Sequence, residues 1–367
     1  MPRETESLSV SVVMPIYNAS DYLRPALDSV IAQTLRDIEI ICIDDGSTDR
    51  SLAILKEYQK KDPRIRIVTE TNAGPAKARN NGMRRARGEY LSFLDADDFF
   101  EPTMLETLYR TAKEKSLDIA VCEYDLFENR TARFKRSIPS EHADILANGR
   151  VTGKNEFPDT IFQSTEGYVW NKLFRRDFVT EKELSFLEDA KIFEDVYFTL
   201  TALSLAERVG KCEGVLLHHR VYPKQVRARM FRKNYEQVPA VYMAVKEFLG
   251  HHGLYLPLSA SFINLSVSIC FKVYNLLWID AKLFFWTLLH DTYAEGFGWT
   301  ELDESGFFSK EVCDFAANVS MYTYPQYLKR EARGLKVRFA DWRRRVKAKK
   351  KRNKARSFFA GLFGKKS

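Results

Sequence analysis

Cysteine is scarce and unpatterned. Cys42, Cys122, Cys212, Cys270 and Cys313 make an odd number, and no C-x-x-C spacing occurs. That argues against a disulfide framework and a structural zinc site, and it fits a reducing compartment. No G-x-G-x-x-G follows the first apolar run, so the usual dinucleotide fingerprint is missing. The nearest approach to a phosphate-binding loop, GRVTGKN at 149–155, has three residues between its glycines and Asn where Ser or Thr is needed. Long hydrophobic runs are also rare. Leu254 to Phe271 is the exception, and its Pro257, Asn264 and four serines point to a buried helix rather than a membrane span. The opening residues MPRETESLSV lack the apolar core of a secretory leader. The expectation is a soluble cytoplasmic protein. Positive charge is missing from most of the chain too. The net +8 comes from the end, where residues 327–367 hold 17 Lys and Arg against Glu331 and Asp341, and the rest is net acidic.

What is present is alternation. Apolar runs at 9–17 (β-branched), 38–45, 65–70, 90–97 and 118–127 alternate with helical spacings at 21–34, 49–61, 75–86 and 102–115. Ser20 or Asp21 is placed to cap the first of these helices. Strands this apolar predict a mostly parallel sheet covered by helices on both faces. Ligands of such sheets bind at the carboxyl ends of the strands. Polar clusters fall at those ends: Pro15-Ile16-Tyr17-Asn18, Asp44-Asp45-Gly46-Ser47 and Asp95-Ala96-Asp97-Asp98. Residues 128–165 read as loops with an edge strand. A helix starts near Glu194, and 231–330 is helical and rich in aromatics.

The stretch FLDADDFF crowds three carboxylates into four positions. Capping of the next helix needs only one of them. A D-x-D at a strand end sets two side chains on one side, within reach of one hard divalent cation, Mn2+ or Mg2+. Asp44-Asp45 ends a second strand nearby. A carboxylate can accept from a base N–H, and Tyr17 can stack on the base. Together these suggest a nucleoside diphosphate held over the strand ends.

VVMPIYNASDYLRPALDSVIAQTLRDIEIICIDDGSTDRS, followed by TNAGPAKARNNGMRRARGEYLSFLDADD, resembles the family 2 glycosyltransferases, inverting enzymes of the GT-A fold. The likeness is specific over 8–130 and weaker to about 235, through WNKLFRRD and FEDVYF. It implies a GT-A catalytic domain at 1–230, a helical region at 231–326 and a basic tail at 327–367. It also implies roles for individual residues. Pro15, Tyr17, Asn18 and Asp45 would line the base and ribose, with Asp44 in support. Asn72 and Arg79 would lie near the diphosphate. Asp95 and Asp97 would form the D-x-D, with Asp97 the more direct metal ligand. Asp195, beside Glu194, would be the catalytic base. Without the resemblance, Glu194-Asp195 reads as a solvated helix N-terminus. Trp170, Asn171 and Lys172 would shape the acceptor side, or else be a core Trp with a surface Lys. His219, in HHRVYPKQVR, would contact the metal or diphosphate, although Gln225 stands where the family expects Ser.

The implied reaction moves a sugar from a nucleoside diphosphate donor, UDP-linked by preference, to a glycan or lipid-linked hydroxyl. Two alternatives share the fold. One is a non-catalytic nucleotide-sugar-binding regulator, which needs no base. The other is a sugar nucleotidyltransferase, which would carry glycines where PIYNASDY has none. In the tail, Leu335, Phe339, Trp342 and Val346 form an apolar stripe among Lys and Arg. That pattern predicts an interfacial helix on an anionic membrane. The competing readings are a solubilising tail, a helix docked on its own acidic body, and nonspecific nucleic-acid binding. No specific nucleic-acid partner is expected, and a homodimer is compatible with the sequence.

Overall fold

The structure is a computed structural model, which describes residues 8–147, 149–221 and 234–333. Among the described residues ten strands form one sheet in the order β3-β2-β1-β4-β9-β6-β10-β5, with β7 on β6 and β8 on β10. Four parallel strands make its first half: β1 (Val10–Ile16), β2 (Ile38–Asp44), β3 (Ile65–Thr69) and β4 (Tyr90–Phe93). Between β4 and β6 (Ile119–Glu128) lies β9 (Lys172–Arg175), antiparallel to both. The long β10 (Val209–Val221) runs parallel to β6. The short strands β5 (Phe99–Phe100), β7 (Arg133–Arg136) and β8 (Val151–Thr152) finish the edges.

The chain leaves β1 toward β2 and β3, then returns to place β4 on the other side of β1. Such a reversal, here at the carboxyl ends of β1 and β4, is the usual ligand position in parallel sheets. Pro15 is tolerated here for a local reason. The partner β4 ends opposite Val13, where the Leu94 N–H donates to the Val13 carbonyl. The N–H that proline lacks would face beyond that end, so no ladder bond is lost.

Helices α1 (Leu23–Ile31), α2 (Ser51–Lys61), α3 (Pro75–Arg85) and α4 (Met104–Glu114) follow the first strands. The cap expected from Ser20 or Asp21 is not formed, because Tyr22 occupies the N-cap of α1 without a side-chain bond. The Ser20 N–H instead donates to Asp49, which ties this loop to the start of α2. Close packing of α3 on β1 requires Gly82, since a Cβ there would lie 2.3 Å from Val13. α5 (Arg176–Glu181) and α6 (Glu194–Leu205) flank the far half of the sheet.

The later helices, Gln237–His251, Tyr255–Leu276, Ile279–Leu288 and Lys310–Met321, share one continuous apolar core with α6 and one sheet face. Tyr255–Leu276 is long and apolar enough to span a membrane, yet half of its most apolar window is buried in the protein. Its Ser261, Asn264 and Ser266 are fully buried and bonded to protein groups. Buried polar groups satisfied by protein partners are what a core helix requires.

Candidate active site

The three strand-end clusters converge at this reversal. Tyr17 is 53% exposed there, a free-standing platform at the end of β1. Asn18 adopts a left-handed φ of 49°, and its Oδ1 accepts from the Thr48 and Asp49 N–H groups. It therefore clamps the two loops together. Asp44 and Asp45 are both buried. Asp44 accepts from the Ser47 N–H at 3.2 Å. The Asp45 oxygens accept from the Ala73 and Gly74 N–H groups at 2.8 and 2.9 Å. Asn72 donates to the Asp45 carbonyl, so its side chain holds the turn. That turn needs Gly46, whose φ is +71°.

The acidic run 95–98 differs from its expected geometry. β4 stops at Phe93, and the run forms a turn closed by the Asp98 N–H on the Asp95 carbonyl. Alternation along a strand therefore does not place these side chains. The following helix is not capped by them either, since Thr103 occupies its N-cap without a side-chain bond. Each carboxylate has its own setting. Asp95 pairs with Arg79 at 2.5 Å. Asp97 is half-buried, and its carbonyl accepts from Arg220 Nε. Asp98 is fully buried, accepting from the Arg220 N–H and lying 3.0 Å from His219 Nδ1.

Arg79 is the hub. It is 4% exposed and bridges Asp95 to Glu194, the latter at 2.8 Å. Phe186 lies under its guanidinium at 5.4 Å, inside an aromatic cluster with Phe93, Phe174 and Phe198. Burial opposes the charge of Arg79, but Asp95, Glu194 and Asp195 outweigh it and hold the group ionised. Its buried Nε has no hydrogen-bond partner among the described residues. Glu194 is thus a buried ion-pair member rather than the solvated helix end allowed by its sequence. Phe193, before it, takes a left-handed φ of 63°, which turns the chain into α6. A bulky residue there stores about 1–3 kcal/mol of local strain, a feature that clusters at functional sites.

Asp195 sits beside this array. Burial first, and then the negative charges of Glu194 and Asp95, push its carboxyl up to about 7. One guanidinium thus faces three carboxylates, and the least compensated of them is held near neutrality.

Next to Asp98, His219 stacks on Trp170 with centroids 5.1 Å apart. Burial works against protonation of His219, but Asp98 reverses that and raises its pKa. Burial likewise raises Asp98, to about 6. Trp170, Asn171 and Lys172 are all buried. Asn171 donates to the Cys122 carbonyl, while Lys172 Nζ donates to the Glu166 and Tyr168 carbonyls and to Asn171 Oδ1. These two polar groups are spent inside the fold, so they support the site from beneath. The surface Lys of the alternative reading is not found. Gln225 lies outside the described residues, as does the tail beyond Arg333.

Two residues that matter here were not singled out from the sequence. In the sequence Asp98 stands out only as part of the acidic run. Asn80 follows Arg79 in the same motif, and its side-chain amide pairs with both backbone polar groups of Phe186. It thereby fixes the ring beneath Arg79. A repeated Asn-Asn after a functional Arg was the available signal.

A mostly parallel sheet whose order reverses at β1, with polar clusters at its carboxyl ends, agrees with the GT-A fold that the sequence resemblance implies. Comparison with known proteins bears this out. The Glycosyl transferase family 2 model matches residues 11–181. A glycosyltransferase named EpsJ, of Bacillus subtilis, is 34% identical over 67% of this chain and 71% of its own length. An uncharacterized glycosyltransferase of Haemophilus influenzae is 47% identical over 55% of this chain and 80% of its own. The fold matches S. aureus TarS 1–349, solved with UDP-GlcNAc, at a TM-score of 0.69 and 21% identity, covering 88% of this chain and 92% of that one. The chain belongs to glycosyl transferase family 2, and it is a glycosyltransferase.

Proposed function

We propose that the protein transfers a sugar with inversion from a UDP-linked donor to a hydroxyl of a glycan or lipid-linked acceptor in cell-surface polysaccharide synthesis. The observation that carries this reading is Asp195, a carboxylate poised near pH 7 next to the Arg79 array. A general base works best with a pKa near the operating pH. Asp195 accepts the proton of the acceptor hydroxyl as its oxygen attacks the anomeric carbon from the face opposite the diphosphate. The Val196 N–H donates to Asp195 Oδ1, while Arg79 spends its direct ion pairs on Asp95 and Glu194.

On the donor side, Tyr17 stacks on the base. Asp45, anchored by two backbone N–H groups, presents its remaining lone pairs to a ring N–H, with Pro15 packed beside it. The fold neighbour TarS was solved with UDP and with UDP-GlcNAc, which supports a uracil nucleotide.

Among the described residues no three side chains are grouped as a ready-made metal cage. The donor chemistry nevertheless fits Mn2+ or Mg2+ shared with a diphosphate, which takes one or two carboxylates from the protein. Mutual repulsion of Asp95, Asp97 and Asp98, part of what raises Asp98, is what a cation would relieve. Asp97 would hold it, with Asp95 and His219 beside it, and the bound ion would neutralise charge on the leaving diphosphate. The basic tail places the enzyme at the inner face of an anionic membrane, near a lipid-linked acceptor.

Asp195→Asn tests the assignment. Sugar transfer falls by about 10²–10⁴-fold, the usual worth of a general base, while UDP binding by calorimetry is retained. Near-parental turnover would remove Asp195 from the mechanism. Equal loss of UDP binding would make it a structural residue.

A further inference from the structure

From an exposed apolar patch on the helical region we infer a second membrane contact, one that inserts into an anionic bilayer beside the basic tail. The patch lies at the junction of helices Tyr255–Leu276 and Ile279–Leu288. Leu276 is 54% exposed, Trp278 61%, Ile279 78%, Leu283 47% and Phe284 56%. Side chains of this size gathered on one surface cost free energy in water and mark an interaction site. The same helix hides Phe285 and Trp286 completely, so its outward residues are not a packing failure.

Three observations choose a bilayer as the occupant. Lys272 and Lys282 flank the apolar residues and outnumber the exposed Asp280 between them, with the Lys282 ammonium lying over the Tyr274 ring at 4.7 Å. A Trp among aliphatic side chains rimmed by lysine is the composition of a membrane interface. The chain's strongest positive charge also starts here. Tyr327 stacks on Trp286 at 4.3 Å, and Trp286 Nε1 donates to the Tyr322 carbonyl. The described chain ends at Arg333, six residues beyond Tyr327, and residues 334–367 then carry Lys and Arg with Asp341 as their single acid. The segment that would attract anionic lipid is thereby rooted against the helix that bears the patch. Stable reversible anchoring is strengthened by a second apolar contact beside a basic amphipathic segment, and the patch supplies one. The inference rests on the membrane-associated reading above and adds its apolar half.

The test uses the full-length chain and vesicles of phosphatidylglycerol in phosphatidylcholine, with pure phosphatidylcholine as control. Ile279→Ser/Leu283→Ser, tail intact, should weaken sedimentation with anionic vesicles at least about tenfold, as loss of two buried aliphatic groups implies. Brominated lipids should quench tryptophan emission in the parent and quench it less in Trp278→Phe, a variant that keeps an aromatic ring. Binding by the double variant equal to the parent's, with unchanged quenching in Trp278→Phe, overturns the inference. So does loss of self-association on gel filtration without loss of lipid binding, which would make the patch an interface between copies. A full chain with Arg343, Arg344 and Arg345 changed to Gln separates the two claims. If it alone stops binding, the tail reading stands and the patch fails. If the parent binds no vesicle, both fail.

Discussion

The sheet carries a buried carboxylate centre at each end, and the two are built on opposite terms. At the amino end of β2, Glu39 is 2% exposed and accepts from Ser11 Oγ at 2.7 Å and from the Arg87 N–H at 2.7 Å. Arg66 and Arg87 both pair with its other oxygen. Burial opposes its charge, but Ser11, the Arg87 N–H and the two guanidinium groups outweigh it, so its pKa is lowered. At the carboxyl end, one buried guanidinium serves Asp95, Glu194 and Asp195, and the last is raised to about 7. The first centre is oversupplied with donors and the second is short of them. A surplus of donors stabilises a fold. A shortage leaves a carboxylate able to take a proton and an acidic turn able to take a cation.

The sharpest way to break the contrast is to remove the shared cation. Arg79→Met leaves Asp95, Glu194 and Asp195 together without their hub. Stripping one partner from a buried pair costs about 3–5 kcal/mol. Unfolding in urea should show that loss, and it should be smaller at pH 5 than at pH 8, because acid lets the abandoned carboxylates protonate. A pH-independent loss would mean that Arg79 acts by packing on Phe186 rather than by charge.

Glu39→Gln probes the other end. The amide keeps the shape but presents an NH2 to groups that already donate, so about 1–3 kcal/mol should be lost. Turnover and UDP affinity should not change, since the residue lies at the amino ends of the strands, opposite the site. The sign of the pH dependence follows from the lowered pKa. Glu39 contributes stability above the ordinary glutamate pKa, and the contribution is lost as pH falls through its depressed folded value. The gap between variant and parent should thus be constant near neutrality and close in acid. A fall in kcat for Glu39→Gln would tie the two ends together.

How far the sequence discloses each end follows from the range of the interactions. The first four parallel strands are legible because each is a short run dominated by apolar and aromatic residues. Glycine and proline punctuate them, and their polar ends lie at the positions that sheet topology prescribes. The middle of the sheet is not legible. β9 has only four residues, Lys172–Arg175, and its partners Leu91 and Ala120 are far away in the chain. So short a strand has no readable period. Its place between β4 and β6 explains why Asn171 and Lys172 are buried. The site shows the same limit. Asp95, Asp97 and Asp195 announce themselves by motif. The pairing of Arg79 with Glu194 spans 115 residues of chain and exists only once the sheet has assembled.

The smallest expected effect is also the most discriminating. At neutral pH a carboxylate raised to about 7 works against the fold, so removing its charge should help. The sign runs opposite to that of Glu39. A group with a raised folded pKa gives stability that is fully present below the ordinary aspartate value and is lost as pH rises through about 7. Asp195→Asn, nearly inactive, should therefore melt above the parent at pH 8 by about 2 °C, the shift that ~1 kcal/mol produces in a domain of moderate size. The gap should narrow as pH falls below about 7 and close only below about pH 4, where Asp195 is protonated in the folded and the unfolded chain alike. A variant that lost activity and stability together would show Asp195 to be a paired structural acid, as Glu39 is. A gain confined to high pH would show that the enzyme holds this carboxylate in place against its own stability, which an acid kept for packing would not require.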